Sequence, residues 1–187
     1  MNIIVSDCNG HYHFRPDNTL AKGSGEYYLP PSIEHIETIP AAVIRIDRAA
    51  KGLSRRFAHR YISQYSYGLL IYPATSSLQA TLRTTLDNTT YICDNFFPIE
   101  EVIQEESIMS LIIDSRLSRY KIPHSALLKE NAYELMEIIT IHSSLKTGDL
   151  LFLELEPEVE EQTIQARQGS YISLSTEKGQ IISVTIR

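Results

Sequence analysis

The chain has no tryptophan, and in 187 residues it has only two cysteines and three methionines. Cys8 and Cys93 cannot build a disulfide framework, and they show no metal-type C-x-x-C spacing. They read as two buried, reduced thiols of a cytoplasmic protein. No stretch approaches the roughly 18 consecutive apolar residues that a membrane helix needs. The opening MNIIVSDCNG carries Asp7 inside its short apolar stretch, so it does not read as a signal peptide. An excess of positive charge is also missing: 17 basic against 23 acidic residues leave a net charge of −6. That balance argues against bulk nucleic-acid binding, which wants a clustered basic face. What remains, 43% hydrophobic and 21% charged residues, is ordinary for a soluble globular protein. The length suits one domain over residues 1–187.

Periodicity predicts an α+β chain that is mostly β, with two or three helices. Apolar strands are expected at Asn2–Ser6, Ile36–Ile46, Tyr67–Tyr72, Ser107–Asp114, Leu150–Leu155 and Ile181–Ile186. Pro40 removes one ladder donor and predicts an edge or a bend there. Asn9–Pro31, rich in glycine, proline and polar turn formers, reads as loop with at most a brief strand at Glu26–Leu29. Helices are expected at Ser54–Tyr65, where Phe57, Tyr61 and Tyr65 repeat every four residues, at Thr75–Thr85, and at Asn131–Ile141. Asp87–Asn95 reads as a turn and a short strand, and Glu100–Glu106 as a charged connection.

The run Ile46-Asp-Arg-Ala-Ala-Lys-Gly-Leu-Ser-Arg-Arg-Phe-Ala-His-Arg-Tyr61 resembles the strand-to-helix passage of the fumarylacetoacetate hydrolase family, I-x-R-x-G-K-N-I-S-x-x-F-A-H-R-Y. Phe14–Leu20 resembles that family's F-x-K-P-x-S-x-L loop, with Arg15 in place of lysine. Leu145–Leu151 resembles its T-L-x-x-G-D-L-I turn, Arg167–Ile172 its K-x-G-D-x-L turn, and Ser183–Arg187 its closing strand. The fragments follow the family's order over nearly the whole chain. The resemblance implies a mixed β-roll with peripheral helices and a homodimer. It also implies a divalent cation that polarises a β-dicarbonyl or enol substrate, with a histidine–glutamate pair to activate water.

Measured against that family, the chemistry looks erased. The E-x-E that holds the cation falls on Ile39 and Ala41, and the third metal carboxylate on Leu70 or Tyr72. The arginine and aspartate of T-A-R-D fall on Ser76 and Ser77, with only Leu78-Gln79 kept from its ending; the substrate lysine falls on Tyr91. The T-G-T-P-A-G loop is replaced by Leu153–Glu158, and the segment bearing the histidine–glutamate pair is shortened away. A hard cation wants oxygen ligands, and isoleucine, alanine and leucine offer none. No magnesium or manganese is therefore expected, and no catalytic residue is assigned. The lining around Ile39, Ala41 and Tyr72 is expected to be apolar and dry, with Tyr72, Tyr91 and Leu155 as candidates to fill the pocket.

Several other clusters offer a rebuilt site. His11 and His13 would point the same way on an extended segment, with Asp7 or Asp17 beside them. His35 with Glu34 and Glu37 lies near the lost carboxylates, Glu37 sharing a strand face with Ile39 and Ala41. Glu154, Glu156, Glu158, Glu160 and Glu161 form an acidic run that reads as a solvated, edge-protecting row. Arg45, Arg48, Lys51, Arg55, Arg56 and Arg60 read as a solvated face, and His59 as structural. Eleven tyrosines, among them Tyr27, Tyr28, Tyr61, Tyr65, Tyr67 and Tyr72, suit an interface or a ligand pocket. The leading reading is a non-catalytic relative of the family, a homodimer or the partner of an active paralogue, with no nucleic-acid or membrane partner. The alternative is a hydrolase, decarboxylase or isomerase with a rebuilt magnesium or manganese site. A third is a β-rich interaction module without an enzymatic past.

Overall fold

The computed structural model describes residues 1–74, 80–99, 107–159 and 164–187. Fourteen strands carry most of it. The first sheet holds β1 (Ile3–Ser6), β2 (Tyr12–Arg15), β3 (Leu20–Lys22), β5 (Ile36–Ile46), β6 (Ile62–Pro73), β7 (Thr90–Ile92) and β11 (Leu150–Glu154), in the order β2-β1-β11-β5-β6-β7-β3. β8 (Phe97–Pro98) pairs with β6, and β12 (Gln165–Ala166) with β5. The second sheet runs β10 (Arg116–Ile122), β9 (Ser107–Ile113), β13 (Tyr171–Thr176), β14 (Gly179–Ile186) and β4 (Gly25–Tyr27). Two α-helices, α1 (Ala80–Thr85) and α2 (Ser125–His142), and short 3-10 turns complete the description.

β5 and β6 are apolar on both faces, as strands buried from two sides must be. Odd-numbered β6 residues Tyr65, Tyr67, Leu69 and Ile71 join the main core, shared with the second sheet and α2. Leu70 and Tyr72 alternate to the opposite face and join Ile3, Val5, Ala41, Val43, Ile92, Leu150 and Phe152 in a second, smaller core. The first sheet is curled: Arg15 at its β2 end hydrogen-bonds Thr89 and Thr90 at its β7 end. Thr90 also donates to the Thr19 hydroxyl just before β3.

Pro40 stands inside a central strand, contrary to the edge or bend expected. β6 pairs with β5 along its length, while on the other side β11 covers Ala41–Arg45 and β12 covers Ile36–Glu37. Pro40 faces the gap between those two short strands, where no ladder donor is required. The helix expected at Ser54–Tyr65 is a 3-10 turn over Arg55–Arg60, and Tyr65 belongs to β6. The spacing of four was shared by two elements of different period. Ser54 stands at the N-cap without a side-chain cap. The segment Asn9–Pro31, expected as loop with at most a brief strand at Glu26–Leu29, contributes β4 near that place and also β2 and β3, which find their ladders on β1 and β7. Residues 75–79, 100–106 and 160–163 lie outside the described residues, and with them Ser76, Ser77, Leu78, Gln79, the Glu100–Glu106 connection, Glu160 and Glu161.

The turn before β11 closes on a buried carboxylate. Gly148 takes φ +87°, which glycine adopts without strain. Asp149 then accepts from the Asn2 amide at 2.7 Å, the Asn2 side chain at 2.9 Å and the Lys146 amide at 2.8 Å. This clamp fixes β1 beside β11 in parallel register.

Candidate functional site

The concave face of the first sheet is where the resemblance places the metal carboxylates. β5 and β6 pair so that Ile39 opposes Leu70, Ala41 opposes Gly68 and Glu37 opposes Tyr72. Ala41, Leu70 and Val43 are fully buried there, and Ile39 packs against them. Phe152 of β11 lies across Gly68: a Cβ at Gly68 would stand 2.5 Å from the Phe152 ring and 2.8 Å from the Tyr91 carbonyl. The apolar lining expected around Ile39 and Ala41 is what the face carries there, whereas around Tyr72 it is polar. Tyr91 and Leu155 do not fill it; both belong to the main core on the other side of the sheet. Tyr72 fills it as expected, and Phe152 with it. Phe152 drew no notice in the sequence because it read only as one apolar residue of a strand.

Above this floor stands a polar cluster that the sequence did not bring together. The Tyr72 hydroxyl donates to Glu154 Oε1 at 2.7 Å. The Arg15 guanidinium lies 4.3 Å from the Tyr72 ring centroid, a cation–π distance. Arg15 is 1% exposed and donates to the Thr89 carbonyl at 3.0 Å, the Thr90 hydroxyl at 3.1 Å and the Ile71 carbonyl at 3.3 Å. The His13 ring meets the Tyr72 ring edge-on at 6.2 Å. Among the described residues, Arg15 Nε and His13 Nε2 are buried without a hydrogen-bond partner.

Burial dominates the electrostatics. It raises the Glu154 carboxyl above its ordinary range, against the lowering effect of the Tyr72 hydroxyl. It also raises the Tyr72 phenol, so the shared proton stays on tyrosine. Burial, and then the Arg15 charge, holds His13 down at about 4. The histidine is therefore neutral at physiological pH. Burial opposes the Arg15 charge too, offset by Tyr72 and Glu154.

The other candidates scatter. His11 lies in the turn before β2, is exposed, and pairs with Asp7 at 3.1 Å, while His13 points inward. The two histidines therefore do not share a site, and Asp17 sits in the 3-10 turn that follows β2. Glu37 pairs with Arg83 at 3.7 Å. His35 and Glu34 are exposed. The acidic run does not form a solvated row along one strand: β11 ends at Glu154, whose side chain turns inward, and Glu156 and Glu158 follow as exposed residues. Glu37 and Glu154 share the concave face, but Glu154 opposes Ala41, which places Glu37 about 13 Å further along β5 at ~3.3 Å per residue. Of the basic residues, Arg55 pairs with Glu130 and Glu134 of α2, Arg45 with Gln64, and Arg56 and Arg60 lie over Phe57. His59 is exposed and bonds the Arg56 carbonyl, a structural role.

Among the described residues, no three histidine, cysteine, aspartate or glutamate side chains converge as a metal would require. The side chains at Ile39, Ala41 and Leu70 supply no oxygen, and Tyr72, the alternative to Leu70, offers only a phenol that donates to Glu154. This donor set does not suit a hard divalent cation.

The neutral His13 makes the fold acid-sensitive in a defined window. An unfolded chain protonates this histidine near 6.5, the folded one only near 4. Between those values the unfolded state binds more protons, so stability falls as the pH drops. Glu154, raised when folded, acts with the opposite sign just above its ordinary range. His13→Phe keeps the edge-on ring and removes the titration. Melting temperatures measured from pH 7 to pH 4 should decline less steeply in this variant than in the parent; equal slopes would refute the assignment.

No protein-family model and no curated protein matches the sequence. The fold nevertheless is that of the fumarylacetoacetate hydrolase family: mostly strand, with a first sheet curled into a half-barrel. A Yersinia pestis protein assigned to that family superposes with a TM-score of 0.73 at 12% identity, covering 100% of this chain and 92% of its own. A 2-hydroxyhepta-2,4-diene-1,7-dioate isomerase from Mycobacterium marinum gives 0.75 at 14% identity, over 99% of this chain and 73% of the isomerase. A maleylpyruvate hydrolase from Sphingobium gives 0.71 at 15%, over 100% and 70% respectively. No helix among the described residues is long and apolar enough to cross a membrane.

Proposed function

We propose that this protein is a non-catalytic relative of the fumarylacetoacetate hydrolases, acting in binding or protein interaction as a cytoplasmic homodimer. One observation carries the reading: Ile39, Ala41 and Leu70, on which the sequence resemblance puts the family's carboxylates with Tyr72 as the alternative to Leu70, pack together in an apolar face, with Phe152 over Gly68. Lewis-acid polarisation of an enol needs anionic oxygen ligands for the metal, and this floor is hydrocarbon. Above it, the Arg15 guanidinium supplies a permanent internal cation, so the positive charge of the roll belongs to the chain itself. Cys93 is buried and Cys8 exposed, contrary to the burial expected of both; as free thiols they support a reducing compartment. An active paralogue on the same fold is the hetero-partner such a chain would suit.

Titration with magnesium or manganese tests this. A metal bound at a hundred times its dissociation constant stabilises by about 2.7 kcal/mol, which at ~2–4 °C per kcal/mol for this size is an obvious shift in melting temperature. The expected result is no saturable shift and no turnover of oxaloacetate or an acylpyruvate. A saturable shift with turnover would establish the rebuilt-metal hydrolase, decarboxylase or isomerase instead. A second reading, metal-free proton transfer through Glu154 and Tyr72, is favoured by their 2.7 Å hydrogen bond and the raised carboxyl. It requires turnover without metal that is lost in Glu154→Gln. Mass photometry across concentrations reports the dimer.

A further inference from the structure

On the face of β6 opposite the Tyr72–Glu154 cluster, a cavity of about 440 Å³ opens between the two sheets. Its floor is aromatic. Tyr65 and Tyr67 meet edge to face at 5.6 Å with an interplanar angle of 89°, and Phe97 lies 5.6 Å from Tyr65 at 42°. Tyr65 and Tyr67 are 7% and 8% exposed, while Phe97, on the short strand β8, is 36% exposed at the mouth. The opposite wall is the β13–β14 turn, Thr176 to Ile181, and Cys93 closes the inner end. The rim is polar, with Asn95, Ser107 and Gln180. Glu177 and Lys178 stand side by side on the turn, so their charges offset and the rim favours no ion.

Sites for small molecules are clefts of about 300–1,000 Å³ with apolar walls and a few polar groups. An apolar cavity near 150 Å³ already takes a benzene ring, so this one has room for two fused rings. Tyrosine and phenylalanine walls set at different angles offer both a face to stack on and edges to meet. We propose that this cavity is a binding site for a neutral one- or two-ring aromatic compound whose hydrogen-bonding groups lie along one edge. The ring would lie against Phe97 and the Tyr65–Tyr67 floor, on the side facing the β13–β14 turn, with its polar edge turned to Asn95 and Gln180. The proposal is independent of whether the concave face is catalytic.

The missing tryptophan makes the test direct, since a naphthol can be excited beyond tyrosine absorption without protein background. 2-Naphthol added to the parent protein should bind saturably. Phe97→Ala, a change at a partly exposed residue, should weaken that binding about tenfold, a difference easily resolved. In a Cys8→Ser background, saturating 2-naphthol should slow alkylation of Cys93 by iodoacetamide, which reads the cavity even if the Phe97 variant folds poorly. The proposal fails if binding does not saturate, if Phe97→Ala binds as the parent does, or if Cys93 reacts at an unchanged rate. It also fails if affinity falls as protein concentration rises, since the cavity mouth would then be a face covered by a second copy.

Discussion

Arg15→Met should lower the melting temperature by about 10 °C, from a loss of about 3–5 kcal/mol for breaking a buried charge arrangement at ~2–4 °C per kcal/mol. Arg15 comes from β2, at one end of the curled sheet, and its guanidinium reaches carbonyls and hydroxyls of Ile71, Thr89 and Thr90 near the other end. Methionine fills the space but donates nothing. It leaves two buried carbonyls without these donors, and it leaves Glu154 beside Tyr72 without the cation that offsets its burial. Arg15→Lys should recover less than half of the loss, because one ammonium cannot reproduce the planar fork that serves both strands. Thermal denaturation of the three proteins at pH 7 decides it. A methionine variant melting within about 2 °C of the parent, less than 1 kcal/mol, would mean that the guanidinium neither closes the curl nor compensates Glu154.

Gly68→Ala should cost at least about 3 kcal/mol, at the upper end of overpacking, and should be read as a drop in melting temperature. The new methyl group meets the Phe152 ring at 2.5 Å, the Tyr91 carbonyl at 2.8 Å and Val43 Cγ2 at 2.9 Å. The ring and the valine can shift; the carbonyl belongs to β7, which is paired to β6 at this level, and cannot move without breaking the ladder. Phe152→Leu should therefore rescue part of the loss and not all of it. The coupling between the two changes, measured as a double-mutant cycle, should be favourable. Additive losses would mean that Phe152 does not lie against Gly68, and the picture of a ring filling the concave face would go with it.

The concave floor was legible in the sequence because it is a question of residue type. Ile39 and Ala41 lie two apart on one strand and must share a face, and no arrangement of isoleucine, alanine and leucine makes an oxygen donor. Strand content and the ends of β5 followed from largely apolar runs, and the turn at Lys146–Asp149 from its local chemistry. The 3-10 turn at Arg55–Arg60 was mistaken for a longer helix, since aromatic residues spaced by four fit both a helix and a turn running into a strand.

The sequence by itself determined that Ile39 and Ala41 put hydrocarbon on one strand face and that the chain is largely β. Only the tertiary structure decided which residues stand above that floor. Arg15, Tyr72 and Glu154 are separated by 57 and 82 positions, so no local spacing could join them. They meet because the sheet curls, bringing its two ends within reach of one guanidinium, and because burial of the cluster then makes each polar group depend on the others.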